Sequence, residues 1–157
     1  MMLHEFNKYL VLNRIDFHKS ADDLAEDYSY LSDNDKLKIQ HVDSKSTFDY
    51  EDEHFNYSCY LLIEQKEINK YKKVLDDNLI PYICHDLTQN VINNRINLSK
   101  SLRKHVNGTN VLDYNIFVKD VDDWIFENLD LDSILDRINE FGIDSIREVD
   151  RKFLKTV

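Results

Sequence analysis

Between Asn56 and Thr88 the hydrophobic period runs from two, to 3.6, and back to two. This sharply limits what the chain can fold into. Tyr57, Cys59, Leu61 and Ile63 alternate with Ser58, Tyr60, Leu62 and Glu64, so residues 57–64 read as a strand covered on at least one face. Ile68, Tyr71, Val74 and Leu75 then recur three and four apart, while Lys66, Lys70, Lys72, Lys73, Asp76 and Asp77 fall opposite. That is an amphipathic helix over 66–78. Asn78 is expected to take the left-handed conformation that ends it, with Pro81 just beyond. Alternation resumes at Ile80, Tyr82 and Cys84. With such short connections the second strand is expected to run parallel to the first.

Composition narrows the choice further. The 157 residues fit one domain, or a small domain with a helical extension, and 42% hydrophobic content suffices for a core. Two glycines and one proline are too few for sandwiches, barrels, a P-loop or a Rossmann fingerprint, which need glycine at turns or beside phosphate. The net charge of −10 is uneven: residues 1–56 hold 6 basic against 13 acidic side chains, 57–108 hold 8 against 5, and 109–157 hold 6 against 12. Acidic ends disfavour direct nucleic-acid binding. Arg95, Lys100, Arg103, Lys104 and His105 form the basic exception, read either as a solvated helix face or as a surface for an acidic partner. No signal peptide or run long enough to span a membrane is expected. The reading is therefore a cytoplasmic protein whose two cysteines, Cys59 and Cys84, are reduced.

In chain order, 8–17 reads as a strand with Tyr9, Val11, Ile15 and Phe17 on one face. Ser20 and Asp23 suggest a cap for a helix bearing Leu24, Tyr28 and Leu31. Residues 32–35 read as a turn, and Leu37, Ile39 and His41 as a short strand. Residues 43–56 read as an acidic loop or flap that displays Phe48, Tyr50 and Phe55. The expectation for 1–87 is thus an α+β domain of ferredoxin-like βαββαβ order, a sheet with two helices on one face. A three-layer parallel arrangement is the competitor. From Thr88 onward the period is helical, giving an extension over 88–157. Its expected parts are a helix from Thr88 to Val106, irregular near Asn97 and ended by Asn107–Gly108, then a helix over 111–127. A third helix is capped by Asp130 and stopped by Gly142, with Ile143 packing back on it. A last short helix opens on a Ser145–Glu148 capping box.

The segment from Leu61 to Cys84, including EINKYKKVLDDNLIPY, resembles the half-unit of small bacterial ferredoxin-like domains described as signal-transducing. The tail LDSILDRINEFGIDSIREVDRKFLK, from Leu131 to Lys155, resembles a short helical hairpin at the ends of varied bacterial proteins, some rhomboid-family tails among them. Arg147 and Val149 stand where that tail usually carries acidic residues. Neither resemblance brings catalytic residues; together they imply an interaction or regulatory module.

Cys84, His85 and Asp86 are the best catalytic candidates, as a nucleophile beside a base. Neighbouring strand residues point to opposite faces, however, so Cys84 and His85 are not expected to meet. No CxxC, HxxxH or HExxH occurs among two cysteines and six histidines, although His18 could converge with His41 or His54. Asp120, Asp122 and Asp123 lack a glycine-bearing calcium loop. The sequence therefore names no catalytic, cofactor or metal residues. It favours a non-enzymatic interaction or regulatory protein with a protein partner, contacted through Phe48, Tyr50, Phe55, Arg95, Lys100, Arg103 and Lys104. The alternatives are an acidic decoy that mimics nucleic acid towards a DNA- or RNA-binding protein, and a small hydrolase or transferase.

Overall fold

The computed structural model describes residues 6–15, 21–52, 54–55, 57–93, 96–105 and 111–157. The chain divides into two compact units, Met1–Leu87 and Thr88–Val157.

The first unit is α+β. Its strands are β1 (Tyr9–Ile15), β2 (Ser46–Tyr50), β3 (Tyr57–Ile63) and β4 (Tyr82–Asp86). Its helices are α1 (Ala21–Ser29), α2 (Asp33–Asp43) and α3 (Gln65–Asp77). The strands form one sheet in the order β2-β3-β1-β4, and every neighbouring pair is antiparallel. β1 thus lies between β3 and β4, pairing Val11 with Leu61 and with Asp86. One face carries Val11, Ile15, Cys59, Leu61 and Ile63. These pack with Leu31, Val42, Ile68, Tyr71, Val74, Leu75 and Ile80 into the core of the unit. On the opposite face Leu10, Leu12, Tyr60 and Leu62 are buried as well. That accounts for the nearly continuous apolar run of β3.

Two local expectations give way here. Residues 37–41 are not a strand: they lie in α2, and Leu37 is exposed. The signal lies in the preceding turn, where the Ser32 hydroxyl accepts a hydrogen bond from the Asp35 amide at 3.1 Å and so caps the helix. Residues 43–56 are not a loop throughout. Ser46–Tyr50 is the edge strand β2, and Phe48 and Tyr50 are buried, with Tyr50 stacked on Tyr60 at 5.7 Å. Beyond it, the Asp52 carboxylate accepts from the amides of His54 and Phe55 at 2.7 and 3.0 Å, a closed turn. Arg14 lies over the Phe55 ring at 4.9 Å.

α3 ends differently from expectation. Leu79, not Asn78, has positive φ (56°). The Leu79 amide donates to Asp76 O and the Ile80 amide to Leu75 O, a Schellman ending in which buried Ile80 fixes the register.

The second unit is helical: α4 (Thr88–Ile92), α5 (Leu98–Arg103), α6 (Val111–Asn128), α7 (Leu131–Phe141), a 3₁₀ turn (Ile143–Ser145) and α8 (Glu148–Leu154). The irregularity near Asn97 is a helix break, and its side chain caps α5 by accepting from the Lys100 amide. Asp130 caps α7 by accepting from the Ser133 amide at 2.7 Å, and Gly142 (φ 88°) ends it. Ile143 does not pack back; it is exposed. Nor do Ser145 and Glu148 form the last cap. Asp150 accepts from the Arg147 amide at 2.9 Å, while the Ser145 hydroxyl donates to Gly142 O. Phe17, Ser20, His4, His18, Arg95, Val106, Asn107 and Gly108 lie outside the described residues.

Candidate functional site

Capping by Ser32 gives α2 a helical period, so Lys36, Ile39 and Gln40 share a face. α2 runs antiparallel to α3: His41 Nε2 lies 3.1 Å from Glu67 Oε2 at one end, and Asn78 donates to Asp35 at 3.2 Å at the other. Where α1, α2, α3 and the start of β3 come together they leave an open cavity of about 370 Å³. It is lined by Tyr28, Ser29, Leu31, Lys36, Ile39, Gln40, Tyr57 and Tyr71. Leu31 and Tyr71 are buried at its base, Tyr28, Ile39 and Tyr57 are half-buried, and Gln40 is exposed. The Tyr57 hydroxyl donates to Asp49 at 3.1 Å. Sequence reading missed this cavity because residues 36–40 were read with a period of two.

The triplet Cys84–His85–Asp86 does not form a site. Cys84 lies opposite Asn13, on the face of the core, and His85 lies opposite Leu12, on the other. Burial also pushes the Cys84 thiol upward, with Lys72 opposing, so the nucleophilic thiolate is disfavoured. Cys59 also lies opposite Asn13, from the other side, so the two cysteines are separated by a whole strand. Both are free. Between them the Asn13 side chain is fully buried, and neither of its polar atoms has a hydrogen-bond partner among the described residues. Among the described residues no group of three or more His, Cys, Asp or Glu side chains could hold a metal ion. Asp120, Asp122 and Asp123 lie along α6, where Asp123 accepts from Lys119 at 2.7 Å. Of the surface residues named from sequence, Lys100, Arg103 and Lys104 are exposed at and just after α5, Phe55 is half-buried, and Phe48 and Tyr50 are buried. The aromatic residues belong to one unit and the lysines and Arg103 to the other.

The second unit is organised about a buried carboxylate. Asp150 accepts from Arg137 Nη1 and Nη2 at 2.7 and 2.6 Å and from Arg147 Nε at 3.1 Å. Arg147 also donates to the carbonyls of Val91 and Ile92 at 2.6 and 3.0 Å, closing the open end of α4. Burial alone would raise the Asp150 carboxyl, but these donors outweigh it and hold it down at about 2. Burial pushes the nearby Asp122 carboxyl up, against the pull of Arg147 and Lys152.

Turning both arginines inward changes the outer surface of the hairpin. Asp132, Asp136 and Glu140 stand four apart on α7 and are exposed, and Asp144 follows in the 3₁₀ turn. Beside them Leu131 and Leu135 are 39% and 45% exposed, and Phe141 and Ile143 are exposed at the far end. Like charges four apart each destabilise a helix by about 0.2–0.5 kcal/mol, and α7 has no base in its last turn to offset Glu140. Among the described residues none of these four carboxylates is paired. The result is an apolar edge beside an uncompensated acidic line.

No described helix is long and apolar enough to cross a membrane. Comparison of the chain with protein-family models, with curated proteins and with solved structures found no match for any part of it.

Proposed function

We propose that this chain is a non-enzymatic regulatory or interaction protein that binds a basic protein partner through the outer edge of α7. The observation that carries this reading is the pairing of exposed Leu131 and Leu135 with the parallel line Asp132, Asp136 and Glu140. A helix whose one arginine, Arg137, turns to an internal carboxylate keeps apolar contact and acidic steering on the same outer edge. The fitting partner presents an amphipathic segment with lysine or arginine beside its apolar face. We assign the first unit to the ferredoxin-like split β-α-β class, with α2 as an added helix in the first crossover. The order β2-β3-β1-β4, antiparallel throughout, supports this. Two cysteines a strand apart and not joined by a disulfide suit a reducing cytoplasm.

The test is capture of partners from a cell extract by the tagged chain, by Leu135→Asp and by Asp136→Lys, with light scattering on each eluate. A stoichiometric partner with a basic amphipathic segment, held by the parent chain and lost from both variants, is the expected result. A partner retained equally by both variants would remove α7 from the interface. A partner displaced by competing DNA or RNA would favour the acidic-decoy reading instead.

A further inference from the structure

We infer that the cavity of the first unit is a binding site for a small apolar carboxylic acid, its ring or branched body held between the tyrosines and its carboxylate on Lys36. The site is independent of the α7 edge. A volume of about 370 Å³ lies within the range of small-molecule pockets, roughly 300–1,000 Å³. Leu31, Ile39, Tyr28 and Tyr71 supply largely apolar walls, so the body of the ligand must be apolar.

The charge of the ligand follows from Lys36. This side chain is half-buried at the cavity, and among the described residues it makes no ion pair and no side-chain hydrogen bond. Two other lysines of the unit are paired: Lys38 lies 3.9 Å from Asp35, and Lys73 donates to Asp77 at 2.9 Å. Lys36 brings one ammonium without a counter-ion to apolar walls, and an anion on the ligand supplies its partner. Tyrosine faces alone would equally suit a cationic ligand, but Lys36 repels one. A phosphate is also a poor fit: a dianion would meet one ammonium and no fork-shaped guanidinium among the lining residues. One negative charge on an apolar body matches what the cavity offers.

The experiment titrates the intact chain with 3-phenylpropanoate and 4-methylpentanoate, and with their neutral amides, by calorimetry and by NMR of the tyrosine rings. Each acid is expected to bind roughly tenfold or more tightly than its amide, about 1.4 kcal/mol, and to shift Tyr28 and Tyr71 resonances. Lys36→Met should erase the preference for acid over amide; Lys36→Gln repeats the test should the first variant fold poorly. Acid and amide binding alike to the unaltered chain would overturn the proposal, as would no binding of either acid. A third arm uses a short peptide ending in Leu-Phe, as free acid and as amide. If the free-acid peptide binds and the small acids do not, the proposal fails and the cavity is a reader of hydrophobic chain ends.

Discussion

Arg137 meets Asp150 through two parallel hydrogen bonds of 2.7 and 2.6 Å, with both side chains buried. Arg147 completes the arrangement and ties it to the end of α4. Asp150→Ala would leave two guanidinium groups without their carboxylate, and breaking a buried pair from one side costs about 3–5 kcal/mol. Urea unfolding followed by the fluorescence of Trp124, the single tryptophan and a buried residue of α6, should show a loss of that size. A loss below 1 kcal/mol would mean that solvent already screens the group. The double change Arg137→Met with Asp150→Leu should be far less harmful than the sum of its parts.

Acid should weaken the second unit in a defined window. Asp150 titrates at about 2 when folded against 3.8 as a free side chain, so the unfolded state binds the proton more tightly. Its contribution, on the order of 2 kcal/mol, is complete above about pH 4 and is lost as pH falls towards 2. Asp150→Asn should flatten the stability profile in that window. A profile as steep in the variant as in the parent would assign the acid sensitivity elsewhere.

In the first unit Asn13 is the anomaly. Its amide is buried between Cys59 and Cys84 with no partner for either polar atom among the described residues, and an unsatisfied buried group costs about 1–3 kcal/mol. Asn13→Val should therefore raise the midpoint of thermal unfolding. A fall instead would reveal a bound water or ion that the amide holds.

Leu79 is 87% exposed and adopts φ of 56°, a conformation that costs a side-chain-bearing residue roughly 1–2 kcal/mol. With no packing to lose, Leu79→Gly should recover about half of that, the remainder going to the greater freedom of glycine when unfolded. Equilibrium denaturation measures it directly, and a destabilised variant would show that Leu79 makes contacts worth more than its strain.

The acidic line on α7 should trade stability for binding. Glu140→Lys places a base in the last helical turn and removes one like-charge neighbour, so the free chain should gain about 0.3–1 kcal/mol. The same change should weaken capture of a basic partner and reduce the salt dependence of what remains. Gains in both properties at once would separate the acidic line from binding.

Period and capping residues determined much of this protein in advance. The β3–α3–β4 sequence, the helix capped by Asp130 and stopped by Gly142, and the change to helical periodicity after Thr88 are local features. Each is settled by side-chain spacing or by a hydrogen bond within four residues of its donor. Residues 32–50 defeated the same reading. Leu37, Ile39 and His41 satisfy a period of two as well as a helix, and the Ser32 cap resolves the ambiguity only when weighed against its neighbours. Phe48 and Tyr50 look like display residues until β2 pairs with β3 and gives them a face to bury. The remaining features depend on chain segments far apart in sequence: Asn13 between two cysteines, Arg147 on the carbonyls of α4, Lys36 beside tyrosines from three elements. Those meetings were decided by strand order and helix packing, because a side chain's charge and polarity are fixed in the sequence while its partners are chosen only when the core closes.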